Sequence, residues 1–228
     1  MSPAPDAGGK PYGRGAFLLL VAGGLSSLAW ASPTLRLLDS ILPGGAKALL
    51  PSQGWRIYTV GNSMPRFKPR TWRLRIDGFV ARPSALGYEE LLRLPRAEQT
   101  SEFHCVTGWT VKNVRWAGIR FRDLLALVRP LPQAQALRFV SAEQPYEDTL
   151  TLAQALRPDA MLAYEMDGQP LKREHGAPAR VVIPEMYGYK NVKWVERIEL
   201  VAHPRDGFWE KLGYDRDAWV GHSNGNGT

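Results

Sequence analysis

From about residue 72 onward, apolar and polar positions alternate in short runs. Trp72-Arg73-Leu74-Arg75-Ile76 alternates, meets Asp77-Gly78, and gives way to Phe79-Val80. Asp-Gly supplies the positive φ of a two-residue hairpin turn, so a hairpin is expected there. Residues 88–94 read as a short helix stopped before Pro95, and residues 100–106 as a strand ending at Thr107-Gly108. A short strand and a helix over 122–128 fill residues 116–128. Strands are expected at 136–142 and 149–152, with a helical turn at 153–156. Residues 162–166 and Pro170-Leu171 flank a second Asp-Gly turn, Asp167-Gly168. Residues 180–183 form an unbroken apolar run behind an arginine, the pattern of a strand buried on both faces. Residues 194–201 are the last strong strand. Strands mix with short helices without a regular strand–helix repeat, which predicts a mixed α+β fold rather than a doubly wound sheet.

The first 53 residues follow a different pattern. A polar stretch with Lys10 and Arg14 precedes the uncharged apolar segment 16–30, which ends in Ala29-Trp30-Ala31. A basic start, an apolar run of about 15 residues and an A-x-A site are the parts of an export signal. A membrane span wants about 20 apolar residues. Residues 1–31 are therefore read as a signal peptide or an N-terminal anchor, 32–53 as a Pro-containing linker, 54–216 as one domain and 217–228 as a flexible tail.

Composition narrows the function. With 44% hydrophobic and 22% charged residues the chain can bury a core. The net charge of +7 is spread over single Lys and Arg residues rather than massed in runs, which argues against nucleic acid. It fits either a solvated basic surface or a pocket for anionic groups. Eight Trp and eighteen Pro favour short strands joined by long ordered loops over a helical bundle.

Cys105 is the sole cysteine, so it makes no internal disulfide and belongs to no multi-cysteine metal site. It is an inert core residue, a nucleophile, or a single soft ligand to a metal held mainly by something else. His104 is adjacent, but neighbours in a strand point to opposite faces and do not activate one another. Downstream, Arg180, Lys190 and Lys193 lie close to buried apolar segments, and buried cations need anionic partners. With Gly188 permitting close backbone approach, residues 174–194 suggest a pocket for a planar anionic ligand, or else a plain strand–loop–strand with surface lysines.

Five pieces carry a resemblance: 56–60 (RIYTV), 72–78 (WRLRIDG), 104–109 (HCVTGW), 175–180 (HGAPAR) and 186–194 (MYGYKNVKW). Across residues 54–214 the chain resembles the molybdopterin-binding domain of the sulfite oxidase superfamily, especially its small exported members, the catalytic subunits of periplasmic methionine sulfoxide reductase. The resemblance implies that α+β core and one Mo-molybdopterin per chain. It makes Cys105 the protein thiolate on molybdenum, and Arg180 and His175 pterin contacts. Asn191, Val192 and Lys193 would form a later contact segment, Tyr58 and Thr59 the early contacts, and Ser141 a further one. Tyr187, Tyr189 and His104 are candidate proton donors.

The chain runs out soon after Tyr214, so no C-terminal immunoglobulin-like dimerisation domain is expected, and a monomeric catalytic subunit is. The arginines that follow the cysteine in sulfite oxidases are replaced by Val106-Thr107-Gly108-Trp109, which argues against sulfite as substrate. Residues 12–15 hold a single Arg where exported relatives carry a twin-arginine signal. The chain has no Cys-x-x-Cys-His and four His in all, so electrons are expected from a separate membrane haem b protein. The expected activity is oxygen-atom transfer, as S- or N-oxide reduction. The rivals are oxidation of a small sulfur substrate, a non-catalytic module of the same fold, and a cysteine hydrolase.

Overall fold

The computed structural model describes residues 54–61 and 63–224. The expected signal or anchor and the whole of the expected linker lie outside these residues. No helix among them is long and apolar enough to cross a membrane.

Among the described residues, ten strands form two five-stranded sheets. The first has the order β2 (Ser84–Gly87), β1 (Arg73–Gly78), β10 (Val195–Val201), β5 (Ala136–Ser141), β6 (Glu147–Thr151). The second runs β3 (Ala97–His104), β4 (Thr110–Arg120), β7 (Met161–Met166), β8 (Gln169–Pro170), with β9 (Arg180–Val182) also paired to β7. Helices are short: α1 (Tyr88–Leu92), α2 (Phe121–Val128) and α3 (Leu152–Ala155). This is the mixed α+β class expected.

The main core lies between the sheets and α2. In α2, Phe121, Leu124, Leu125 and Val128 are buried, the i, i+3, i+4, i+7 stripe of a one-sided helix. Thr151 caps α3, accepting from Gln154 N–H at 3.2 Å while the Gln154 side chain accepts from Thr151 N–H at 2.8 Å. The second sheet is covered on both sides. Along β7, Leu162 and Tyr164 face the main core, while Met161 and Ala163 join a second cluster with Trp55, Ile57, Val114, Trp116 and Val182. The run at 180–183 divides the same way, Val181 and Ile183 inward and Val182 outward, as its continuous apolar pattern predicts.

The two Asp-Gly dipeptides behave differently. Asp167 and Gly168, at φ 55° and 78°, make the hairpin turn between β7 and β8. Asp77-Gly78 makes none: β1 runs through Gly78 and pairs in parallel with β10, and its antiparallel partner β2 begins only at Ser84. Gly78 is required by packing, since a Cβ there would lie 2.2 Å from the Leu200 carbonyl oxygen.

Residues 217–224, expected as a flexible tail, are tied to the loop before β10. Tyr187 N–H donates to Ala218 O at 2.8 Å, Val220 N–H to Glu185 O at 3.0 Å, and Gly221 N–H to the Tyr187 hydroxyl at 3.2 Å.

Candidate functional site

A cavity opens where the β3–β4 turn, residues 55–60, the loops before β9 and β10, and the segment after β10 converge. Cys105 begins the β3–β4 turn. Its N–H donates to Trp109 O at 2.9 Å, its carbonyl accepts from Gly108 N–H at 3.0 Å, and Gly108 closes the turn at φ +90°. The turn brings the sulfur into the cavity, 3.2 Å from Thr107 Oγ1. Burial pushes its pKa up; Thr107 and the Arg56 charge pull it down. No imidazole bonds it, so the base that a cysteine nucleophile needs is not at hand. His104 faces a separate surface groove, with Nδ1 3.0 Å from Thr110 Oγ1 and Nε2 3.4 Å from Glu102.

Two cations stand on the cavity with no carboxylate in ion-pair contact among the described residues, though the charges of Glu143 and Glu174 act on Lys193. Arg180, 3% exposed, donates only to the backbone carbonyls of Val181, His175 and Asn191, at 3.2–3.4 Å. Its guanidinium also lies 5.4 Å from the Phe103 ring centre and 5.2 Å from that of Trp116. Burial lowers its pKa to about 10. Lys193 donates to Tyr58 O at 2.7 Å and packs over Trp194. Burial, then Arg180, lowers its pKa to about 7. His175 completes the group. Burial, Arg180 and Lys193 bring its pKa to about 3, so the ring is neutral, and its buried Nδ1 has no hydrogen-bond partner among the described residues.

The opposite wall is aromatic: Trp55 lies 4.8 Å from Phe103 and 5.0 Å from His175, ring centre to ring centre. Gly188 lines the cavity because Phe103 leaves no room for more, a Cβ being 2.4 Å from that ring.

Of the residues singled out from sequence, the cavity gathers Tyr58, Cys105, His175, Arg180, Tyr189, Asn191 and Lys193. Thr59, Ser141, Val192 and Tyr187 do not line it. Ser141 is fully buried and its hydroxyl accepts from Glu143 N–H at 2.9 Å; Val192 is wholly in the core. The hydroxyls of both candidate proton donors have partners away from Cys105. The Tyr187 hydroxyl accepts from Gly221, and the Tyr189 hydroxyl donates to Asp215 O at 2.7 Å and accepts from Asn224 at 3.0 Å. Burial raises the Tyr189 pKa further. Lys190 leaves the expected trio of pocket cations, since its own buried carboxylates, Asp148 and Glu210, hold it.

The sequence missed Trp55, Arg56, Phe103 and Glu143. Glu143 is 3% exposed, and its Oε1 accepts from Val60 and Gly61 N–H at 2.9 and 3.0 Å, fixing one cavity wall. Arg56 lines the cavity and makes no hydrogen bond or ion pair with the described residues. A burial pattern could have marked Trp55 and Phe103; nothing local marks Glu143. Tyr146 and Trp209 also line the cavity.

Lys193 makes the ligand-free protein pH-sensitive. Between pH 7 and 10.5 the unfolded chain holds this proton and the folded chain does not. Its contribution to stability therefore rises with pH across that window. Urea unfolding of wild type and Lys193→Met at pH 7 and near pH 10 is expected to show a stability difference that shifts toward wild type at the higher pH. An equal difference at both pH values would refute the depressed pKa.

The family model for the oxidoreductase molybdopterin binding domain matches residues 61–209. The chain is 34% identical over 159 residues to the uncharacterized oxidoreductase YuiH of Bacillus subtilis, covering 68% of this chain and 80% of that one. It is 32% identical over 175 residues to the protein-methionine-sulfoxide reductase catalytic subunit MsrP of Gluconobacter oxydans, covering 69% of this chain and 56% of that subunit. Among solved structures, the sulfane dehydrogenase SoxCD from Paracoccus pantotrophus superposes with a TM-score of 0.59 at 27% identity, over 62% of this chain and 41% of that one.

Proposed function

We infer what this chain does from what it is: it belongs to the oxidoreductase molybdopterin-binding domain family, has the sulfite-oxidase-type fold, and is a molybdopterin-dependent oxidoreductase. The reaction assigned to it is two-electron oxygen-atom transfer, run as reduction of an S- or N-oxide. The observation that carries this reading is the pairing, on one cavity, of a lone thiol with two buried cations that no carboxylate among the described residues meets in an ion pair.

The donor set fits the cofactor. One sulfur alone does not hold a metal, and no group of three or more His, Cys, Asp or Glu among the described residues can do so. The metal must therefore arrive inside a larger ligand, and that ligand must be anionic to balance Arg180 and Lys193. When bound, the cofactor supplies a molybdenum that cycles between Mo(VI) and Mo(IV), giving or taking an oxygen atom. Cys105 contributes its thiolate to that metal. Arg180 and Lys193 hold the anionic part, and the neutral His175 offers its unpartnered Nδ1 to the pterin. Trp55 and Phe103 present aromatic surface to a planar ring. Val106, Trp109, Trp209 and Tyr214 add apolar and aromatic surface that suits a neutral oxide, on a lining that also carries Arg56, Glu143 and Glu174. Tyr58 and Asn191 line the same wall, with Thr59, Ser141 and Val192 behind it as backbone support. Electrons come singly from a separate membrane haem b protein, and the N-terminal segment directs the chain out of the cytoplasm.

Arg56 favours a second reading. An unpartnered guanidinium whose charge acts on Cys105 suits an anionic sulfur substrate, oxidised with electrons passed outward to a cytochrome. Purified holoprotein assayed with methionine sulfoxide and reduced benzyl viologen is expected to turn over. Turnover only with sulfite and ferricyanide would replace the first reading by the second. Failure to retain molybdenum from a cofactor-competent host would remove both.

A further inference from the structure

A buried ionic cluster stands behind the cavity wall and has no part in the reaction described above. Lys190 Nζ donates to Asp148 Oδ1 at 2.7 Å, to the Thr149 carbonyl at 3.2 Å, and to Glu210 Oε1. The three side chains are no more than 2% exposed. They come from three segments: Asp148 from β6, Lys190 from the loop before β10, Glu210 from the turn after it. Lys190 lies between Tyr189 and Asn191, and Glu210 lies between Trp209 and Tyr214, all four of which line the cavity.

The cluster holds more acid than the fold requires. One carboxylate would neutralise Lys190; the second leaves Asp148 Oδ2 and Glu210 Oε2 buried with no partner among the described residues. That surplus is unfavourable, and its geometric result is specific. Asp148 already anchors Lys190 within the body of the domain, and Glu210 fastens the segment 207–214 to that anchor. The segment's other ties include Phe208 N–H to Glu147 O at 2.9 Å, Lys211 Nζ to Glu147 Oε1 at 3.4 Å, the ring contact of Tyr214 with Tyr189 at 5.4 Å, and packing of Phe208, Trp209 and Tyr214 against the main core. Gly207 lets the segment come in, since a Cβ there would lie 2.7 Å from Glu210 Oε2 and 2.6 Å from Glu147 O.

We propose that Glu210, held by the Lys190 ammonium that Asp148 anchors, is a positioning residue that latches Trp209 and Tyr214 over the cavity and so sets how tightly the substrate is held. The inference rests on the reading of this cavity as the substrate site. Glu210 touches no reacting atom. Its loss therefore loosens substrate binding without altering the chemical step.

The test uses holoprotein carrying Glu210→Ala. Hydrogen exchange is expected to accelerate in residues 207–214 and not elsewhere. KM for methionine sulfoxide, with reduced benzyl viologen as donor, is expected to rise roughly tenfold with kcat and molybdenum content unchanged. Lys190→Met is expected to free the same peptide from the other end of the latch; should it fail to fold, Glu210→Ala carries the test alone. Unaltered exchange at 207–214, exchange raised throughout the chain, or kcat falling with KM unchanged would each overturn the latch. If wild type does not reduce methionine sulfoxide at all, that failure belongs to the assigned reaction. The exchange measurement then still decides the latch.

Discussion

Cys105→Ser is expected to leave the fold in place and to lower oxide reduction by about a thousandfold or more, the scale on which removal of a catalytic group acts. Folding should tolerate the change. The turn that carries Cys105 is closed by backbone bonds with Trp109 and Gly108, which the substitution does not touch. A serine hydroxyl can also keep the contact that Sγ makes with Thr107 Oγ1. What serine lacks is a soft, electron-rich donor. Molybdenum content, circular dichroism, the EPR signal of the partly reduced protein and turnover, measured on both proteins, separate the cases. A folded variant with a changed signal and no turnover is the expected outcome. A variant within about tenfold of wild type would return Cys105 to the status of an ordinary half-buried thiol.

The part of this site legible in the sequence is the part carried by local grammar. Cys105 stood out because it is alone and sits before a glycine turn. Arg180 stood out because a cation opens a fully apolar run, and the structure buries that run on both faces of β9. Lys190 shows the limit. It shares a short segment with Lys193, so local reading grouped the two. Its partners lie 42 and 20 positions away, and its charge is consumed inside the domain. Glu143 was invisible for the same reason, its backbone partners being 83 and 82 positions distant. Tyr187 and Tyr189 carry titratable groups near the site, yet their hydroxyls serve Asp215, Gly221 and Asn224, the last two in the stretch expected as a flexible tail.

The fold divides along similar lines. Period-two alternation found most strands, and the stripe of α2 was plain. Pairing was less legible, because the parallel β1–β10 contact joins distant segments with no turn to announce it. The same Asp-Gly dipeptide served a turn at Asp167-Gly168 and a close backbone approach at Gly78. A positive φ is a local property; the reason for it is not.

Lys190→Met is expected to lower stability by about 3–5 kcal/mol, seen as an earlier urea midpoint. The size follows from what the substitution leaves behind rather than from the bonds it removes. Burial alone drives the Asp148 carboxyl well above the usual carboxylate range, against the pull of Lys190, and Glu210 pushes it higher. Lys190 in turn is pulled down by burial, but the two carboxylates outweigh this and raise its pKa. Without the ammonium, two acids remain in a space closed to water, and each must take up a proton or force the segment open. Both responses favour the unfolded chain. Loss of methylene packing predicts a much smaller change, since methionine fills nearly the same volume. A further variant separates the two causes. Lys190→Met with Asp148→Asn and Glu210→Gln removes all three charges while keeping the shapes, and should recover most of the stability. If the triple variant is as unstable as Lys190→Met, the lysine acts through packing and hydrogen bonds to neutral groups, and uncompensated charge is not what its absence exposes.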